Sequence, residues 1–510
     1  MNSVTPISQT AIADWIERLR ESTKAAPWAN LVDFDGIDAI DVLLSPVFLG
    51  ALNAVRGGAR PRREPRSLFG WLHETGYRMR TAAGERLAAR HSASVEQADV
   101  VMWCREITHS DILRPVAKAL AERGTSCRFL TCQTKIFRAL RRNDPAVVFA
   151  PAAWPRQVRE GRQQGLRRAG RLASFGPWTI PRLDGASMAD LESIVRDVVV
   201  RHLPLASEAM ANARAALDGF RPKVLVVGND LTPEGRAACR VAAARGVPTA
   251  VFMHGSIAGE PLHAYHCADR VVVFGNIHRD QLVMQGLSSE RIAVCGSPSL
   301  DQRPQQTGQP HPLLRERLGL GAEPWILVAT SGPGHSVSHR HHELVVENLA
   351  RLSTALGNVP IVIKLHRKDR LEHYQKLRKT SEGSKLFVLP HGTPGFPEDI
   401  YGWLQGCGLV LTGASTVAVE AMLMDVPVVT MDFCDELKDV DFIDCGATVH
   451  VRTREDLEQA ARSILADGPS PELQERVRAH LQRAFYAVDG GSAGRAVGVL
   501  DELMAGGPSP

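Results

Sequence analysis

A chain of 510 residues is too long for one hydrophobic core, so two or more domains are expected. Hydrophobic residues at 44% and charged residues at 23% belong to an ordinary globular protein, and a net charge of +4 over this length excludes a nucleic-acid binder defined by bulk charge. The 9 cysteines are scattered, with no CxxC pair and no His/Cys cluster at metal-ligand spacing, which reads as reduced, buried thiols of a cytoplasmic protein with no metal.

In chain order, the N-terminus lacks the apolar core of a signal sequence, and Ile12, Trp15, Ile16 and Leu19 instead mark one face of a helix. Residues 1–95 read as a helical extension. Its basic patch (Arg56, Arg60, Arg62, Arg63, Arg66) is either a solvated loop or a contact for acidic headgroups at the inner face of a membrane. A first α/β domain is expected over 96–300. ADVVMWCREI reads as a strand, THSD as a loop, ILRPVAKALAERG as a helix and SCRFLTC as the next strand. His109, Ser110 and Asp111 would then lie at the carboxyl edge of a parallel sheet, capping the helix or touching substrate. The run Arg156–Arg171, rich in arginine and without an apolar stripe, reads as a surface excursion, solvated or open to an anionic acceptor or a membrane. A helical stretch at Met188–Leu217 leads to a strand at Lys223–Val227 and a helix opened by Thr232-Pro233. The strand Pro248–Met253 delivers His254, Gly255 and Ser256. A histidine at such a strand end, followed by glycine, suits a general base, and a histidine bonded to backbone would look the same.

The Pro/Gln-rich segment Pro298–Pro312 marks a domain boundary, and a second α/β series is expected over 320–505. WILVAT is a strand, followed by a loop with Ser331 and Gly332; VPIVIKLH is another, ending in Lys364, His366 and Arg367. Leu409–Val429 reads as strand, tight turn, helix, strand. Gly413 and Ala414 permit close approach, Ser415 or Thr416 caps the helix, and the unpaired N–H groups behind them favour phosphate. With Thr416 as cap, Glu420 stands one place past the capping-box position, free to accept from ribose hydroxyls or to lie solvated. One helix from about Pro471 to Met504 closes the chain and is expected to return to the first domain.

Taken together, PKVLVVGND, GVPTAVFMHG, ADRVVVFG, RIAVCGSPSLD, VIKLHRKD, TGASTVAVEAMLMDVPVV and DGGSAGRAVGVLDEL resemble, in that order, the GT-B superfamily over about residues 98–505. They look most similar to bacterial surface-polysaccharide transferases of the capsule and teichoic-acid (CDP-glycerol glycerophosphotransferase-like) type. The resemblance implies two Rossmann-like domains with parallel sheets facing a central cleft. It implies a metal- and cofactor-independent enzyme moving a group from a nucleotide-activated sugar or polyol donor to a glycan or lipid-linked hydroxyl acceptor. His254 would be the base, with Asp111 next in line. Ser331, Gly332, Lys364, His366, Arg367, Gly413, Ser415 and Thr416 would meet the donor phosphates and Glu420 its ribose; His109, Ser110, Gly255 and Ser256 would face the acceptor. Arg367 replaces the family's proline, and Gly413-Ala414 replaces an aspartate-containing loop. Two other readings stand beside it: a UDP-N-acetylglucosamine 2-epimerase, which eliminates and re-adds the nucleotide but carries a Gly-Gly turn and paired acids where this chain has Ala414-Ser415 and Val419-Glu420, and a non-catalytic glycan-binding subunit.

Overall fold

Runs such as VVMW at 100–103, VLVV at 224–227 and ILVA at 326–329 are buried at every position, as strands of a parallel sheet covered by helices on both faces must be. In the computed structural model these runs build two α/β units. The described residues are 9–506 apart from 56–87, 143, 145, 185, 255–260, 302–307, 322, 331, 334–336, 358, 367–368, 376, 378–384 and 438–439. One unit comprises Met1–Asp301 with Asp489–Pro510, the other Gln302–Val488. The basic patch at Arg56–Arg66 lies outside the described residues.

The first unit opens with a small antiparallel pair, β1 (Asp33–Phe34) and β2 (Ile37–Asp38). Its main sheet comprises β3 (Val100–Trp103), β4 (Cys127–Thr131), β5 (Val148–Phe149), β6 (Val224–Val227), β7 (Thr249–Phe252), β8 (Arg270–Val273) and β9 (Ile292–Val294). Every pairing is parallel and the order is β5-β4-β3-β6-β7-β8-β9. The second unit repeats the plan with β10 (Ile326–Ala329), β11 (Ile361–Lys364), β12 (Leu386–Leu389), β13 (Leu409–Thr412), β14 (Val428–Met431) and β15 (Val449–Val451), in the parallel order β12-β11-β10-β13-β14-β15. In both sheets the winding reverses beside the first strand, between β3 and β6 and between β10 and β13. At such a reversal the loops leaving the two strands diverge and open a crevice at the carboxyl edge, where ligands lie in doubly wound sheets.

Two stretches differ from their sequence reading. The helix Pro155–Ala173 is no surface excursion: Gly161, Gly165, Ala169 and Leu172 are buried along one side. That side packs on the long helix Met188–Phe220, where a Cβ on Gly161 would stand 2.5 Å from Ala211 Cβ and one on Gly165 2.6 Å from Pro204 Cα. Glycine lets the backbones meet, and Ser207 Oγ donates to the Gly161 carbonyl at 2.7 Å. An apolar stripe made mostly of glycine and alanine is invisible to a hydrophobicity pattern. The C-terminal segment is two helices, Pro471–Phe485 and Ser492–Gly506, broken where Tyr486 takes φ 59° and Gly490 φ 76°. The second belongs to the first unit: Ser492 and Ala493 N–H donate to the Asp301 carboxylate at 3.1 and 2.7 Å, so this aspartate caps the helix from far along the chain. The nine cysteines are all free, but Cys445 is exposed. Among the described residues no helix is long and apolar enough to cross a membrane.

Residues 9–55 share the core of the first unit: Ile12, Trp15, Ile16 and Leu19 join one apolar cluster with Leu191, Val195 and Val199 of the long helix. Asp41 anchors the segment electrostatically. Its buried carboxylate meets Arg236 Nη2 at 2.9 Å, Arg240 Nε at 2.6 Å and Arg20 Nη2 at 3.3 Å. Burial opposes this charge, but Arg236 and Arg240 outweigh it and hold the pKa down to about 2. Asp41→Asn strands a buried guanidinium and is expected to lower unfolding free energy by about 3–5 kcal/mol in urea titrations at pH 7. Because the folded pKa is depressed, that contribution is complete above the unfolded value of 3.8 and fades as pH falls towards 2, so the wild-type advantage shrinks over that window.

Candidate functional site

The switch point of the first sheet is closed by one tight contact. Gly228, just past β6, donates its N–H to the Trp103 carbonyl of β3 at 3.1 Å. A Cβ on Gly228 would stand 1.9 Å from Nδ1 of His109, so only glycine admits that ring. His109 lies inside a helix rather than in a loop: the helix Ile107–Glu122 begins five residues earlier than its sequence suggests. Its Nδ1 accepts the N–H groups of Arg105 (3.2 Å) and Glu106 (3.4 Å), satisfying donors that a helix start leaves unpaired. An Nδ1 that accepts twice from backbone cannot carry a proton, so the ring is the Nε2–H tautomer. Burial, the neighbouring His254 and Arg105 push its pKa down to about 3. Ser110 is buried, its Oγ donating to the Ile107 carbonyl at 2.6 Å. Asp111 is exposed and paired with Arg114 Nη2 at 2.7 Å, which removes the ground for a catalytic role.

His254, two residues past β7, meets His109 edge-on with ring centroids 4.5 Å apart. Burial lowers its pKa, against the Glu106 charge and hydrogen bonds with the Phe252 and Gly228 backbones. Gly255 and Ser256 lie outside the described residues. Asp230, two residues beyond Gly228, is fully buried. Its Oδ2 accepts from Cys267 N–H (2.6 Å) and Ala268 N–H (2.9 Å), and its Oδ1 meets His266 Nδ1 at 2.5 Å. His266 Nε2 in turn lies 3.3 Å from His263 Nδ1. Beside them Glu234, in the first turn of the helix Pro233–Ala243, accepts from Trp103 Nε1 at 2.7 Å, while burial raises its pKa.

Among the described residues, two clusters each hold three possible metal-ligand atoms within 4.8 Å: Glu106 with His109 and His254, and Asp230 with Cys239 and Cys267. The second makes a poor cation site, because both oxygens of Asp230 are already engaged and burial with the Cys267 hydrogen bond keeps the Cys239 thiol protonated. In the first, His109 has no lone pair to give, since Nδ1 accepts from two backbone N–H groups and Nε2 carries the ring proton.

In the second unit, Thr412 of β13 donates its hydroxyl to the Ala329 carbonyl of β10 at 3.0 Å, closing that switch point. Ser415 is the cap of the helix Thr416–Leu423, its Oγ accepting from Val417 N–H at 3.3 Å; Thr416 is the first helical residue and is exposed. Glu420 therefore sits one place deeper in the helix than a Thr416 cap would put it. Burial drives its pKa up to about 7 against the pull of Lys364, the last residue of β11, and burial likewise lowers that of Lys364. The half-buried His366 is held through its backbone, its N–H donating to Thr330 Oγ1 (3.1 Å) and Asp369 Oδ2 (3.2 Å). Gly332 abuts Asp369 Oδ1, 1.9 Å from where its Cβ would be. Gly413 lines a hollow with Thr330, His341, His342 and Tyr374. Ser331 and Arg367 lie outside the described residues.

The structure thus brings His109 to His254 and Lys364 to Glu420, and turns Asp111 away. Sequence reasoning missed Asp230, His263, His266 and Glu234. The Gly-Asn-Asp after β6 and the i, i+3 histidine pair were readable signals, but their meeting depends on the 36-residue separation of Asp230 and His266 closing in three dimensions.

Residues 201–501 match the UDP-N-acetylglucosamine 2-epimerase family. Among solved structures, the chain is similar to the UDP-GlcNAc 2-epimerase of Methanocaldococcus jannaschii, with 15% identity, a TM-score of 0.50, and 80% of this chain and 99% of that one covered. The UDP-GlcNAc 2-epimerase of Neisseria meningitidis bound to UDP-GlcNAc gives 12% identity, a TM-score of 0.48 and coverage of 79% and 99%. No curated protein matches the chain. At 15% identity the likeness to the Methanocaldococcus jannaschii structure bears on the doubly wound fold alone.

The raised pKa of Glu420 has a thermodynamic consequence. A folded pKa of about 7 above an unfolded value of 4.5 means its contribution is complete below 4.5 and is lost as pH rises through 7. Glu420→Gln is therefore expected to leave stability unchanged at pH 5 and to raise it at pH 8 by about 1–3 kcal/mol, read from paired denaturant curves.

Proposed function

The chain belongs to the UDP-N-acetylglucosamine 2-epimerase family, and from that premise we propose that it is a nucleotide-sugar epimerase inverting C2 of UDP-N-acetylglucosamine. The premise corrects the transferase expected from the sequence: the family match over residues 201–501 replaces the surface-polysaccharide and capsule assignment, and with it the hydroxyl acceptor. What supports this reading is that the matched region contains both His254 at the carboxyl edge of the first sheet and the Lys364/Glu420 pair of the second.

Inverting C2 requires its C–H bond to break on one face of the sugar and to form on the other. That hydrogen is not acidic while the sugar is intact, since no carbonyl adjoins C2. Loss of the nucleotide diphosphate from C1 solves the problem: the C2–H pair becomes a C1=C2 bond as the C1–O pair leaves with the phosphate, and the reverse addition restores the sugar with the proton on the opposite face. Two kinds of help are needed, a group that takes and returns a proton and a site that stabilises charge on the departing phosphate. His254 suits the first, because burial lowers its pKa and so keeps the ring neutral near pH 7, with a lone pair able to accept a proton. Lys364 and the Ser415-capped helix start suit the second. Glu420 takes the ribose hydroxyls, which also relieves its burial by giving its charged form hydrogen-bond donors.

The test is epimerisation in D2O. Purified protein with UDP-N-acetylglucosamine should form the C2 epimer and lose the C2–H signal from both species in proton NMR; UDP binding without epimer or exchange would overturn the assignment. His254→Gln should slow turnover by roughly 10²–10⁴-fold with UDP affinity intact. Glu420→Ala should weaken UDP binding by about 1.5–3 kcal/mol in calorimetry, and unchanged affinity in the folded variant would return Glu420 to a structural role.

A further inference from the structure

We propose that Asp230, His266 and His263 form a proton relay serving C2 epimerisation, with His263 Nε2 as the atom that exchanges a proton with the sugar; this rests on the epimerase reading above. The juxtaposition carrying it is a chain of three side chains in which each inner atom has one partner, Asp230 Oδ1 to His266 Nδ1 at 2.5 Å and His266 Nε2 to His263 Nδ1 at 3.3 Å.

The hydrogen-bond inventory sets its direction. Asp230 is fully buried and its other oxygen takes two backbone N–H groups, so the carboxylate is an acceptor throughout. His266 and Ala268 N–H outweigh its burial and hold its pKa well below the usual carboxylate range. A neutral His266 donating from Nδ1 to that carboxylate keeps Nε2 as an acceptor. That acceptor takes the Nδ1–H of His263, so the remaining nitrogen of His263 carries a lone pair. His263 is half-buried on the short 3-10 turn Pro261–Tyr265, so its Nε2 is the outer end of the chain. Its ring is electrostatically coupled to His254, which places the relay beside the group already assigned to proton transfer.

The proton step balances. When His263 Nε2 takes the C2 proton, its Nδ1–H passes to His266 Nε2, and the positive charge comes to rest on a ring held against the Asp230 carboxylate; the C2–H electron pair goes to the C1=C2 bond and the C1–O pair leaves with the diphosphate. Inversion is completed when His254, protonated from solvent, gives C2 a proton on the opposite face as the diphosphate oxygen re-adds to C1; the relay then releases its extra proton to solvent. An inversion needs proton transfer at both faces of one carbon, and His254 with His263 supplies two separate imidazoles for it. His263 is a catalytic residue in this scheme. Asp230 and His266 are positioning residues that act through it. The backbone holds the pair in place: Arg291 Nη2 donates to the His266 and Ala268 carbonyls at 2.7 and 2.6 Å, fixing the segment that presents both the ring and the amides.

Two readouts on the full chain test the relay. Histidine-selective nitrogen NMR of the wild type should show His266 and His263 as Nδ1–H tautomers, and Asp230→Asn should release that preference. In the epimerisation assay, His263→Ala should lose roughly 10²–10⁴ in kcat with KM within about threefold, and added imidazole should restore part of the rate. His266→Gln should lose a comparable factor without rescue. An Nε2–H tautomer at His266, or His263→Ala at wild-type turnover, overturns the relay. If the wild type binds UDP but does not epimerise the sugar, the substrate assignment falls and the tautomers alone decide the relay. Should Asp230→Asn fail to fold, His263→Ala on its half-buried turn still decides the matter.

Discussion

The closest approach in the first unit, His109 against Gly228, holds the switch point together. One missing Cβ lets an imidazole enter the space between β3 and β6, where it accepts the amide hydrogens of Arg105 and Glu106 and so starts the helix Ile107–Glu122. From there the constraint spreads. The ring edge sets the position of His254, and the turn continuing from Gly228 carries Asn229 and Asp230. Gly235 repeats the device one turn into the next helix, where a Cβ would stand 2.0 Å from the Asn229 carbonyl. A loop pinned by backbone contact on both sides has little freedom to drift, and the precision of the acid–base groups follows from that.

The two units solve opposite electrostatic problems with similar sheets. In the first, burial and mutual repulsion keep His109, His254 and His263 neutral, while one anion, Asp230, is saturated by amides and an imidazole. Neutral rings beside a fixed carboxylate can accept a proton without reorganising the surroundings. In the second, Lys364 and Glu420 are a cation and an acid each shifted towards its neutral form by burial, and each held back by the other. Such a buried pair keeps its charges at a cost in desolvation that the mutual attraction only partly offsets.

Much of the architecture was legible. Apolar runs of four to five residues, separated by helices and ended by glycine, mark a parallel α/β sheet because strands buried on both faces cannot alternate. His254, Lys364, Ser415 and Glu420 were singled out because they stand where strands give way to loops or helices, and periodicity locates that boundary. The Gly161/Gly165 stripe escaped because close packing of backbones leaves no hydrophobic signal, and the start of the helix at Ile107 escaped because His109 serves there as acceptor, a role not associated with histidine at that position. The choice between transferase and epimerase turned on neither: both readings use the same strand-end residues, and fold and chemistry are separable.

By itself, then, the chain determined which segments become strands, that there are two series of them, and which residues stand at their ends, because these are matters of local periodicity and of a few residues in sequence. Only the tertiary structure decided that Asp230 meets His266 across 36 residues and that Asp301 caps a helix 191 residues away. Those outcomes depend on where strand order reverses and on the absence of a single Cβ at Gly228, and both are properties of packed backbones rather than of residue type.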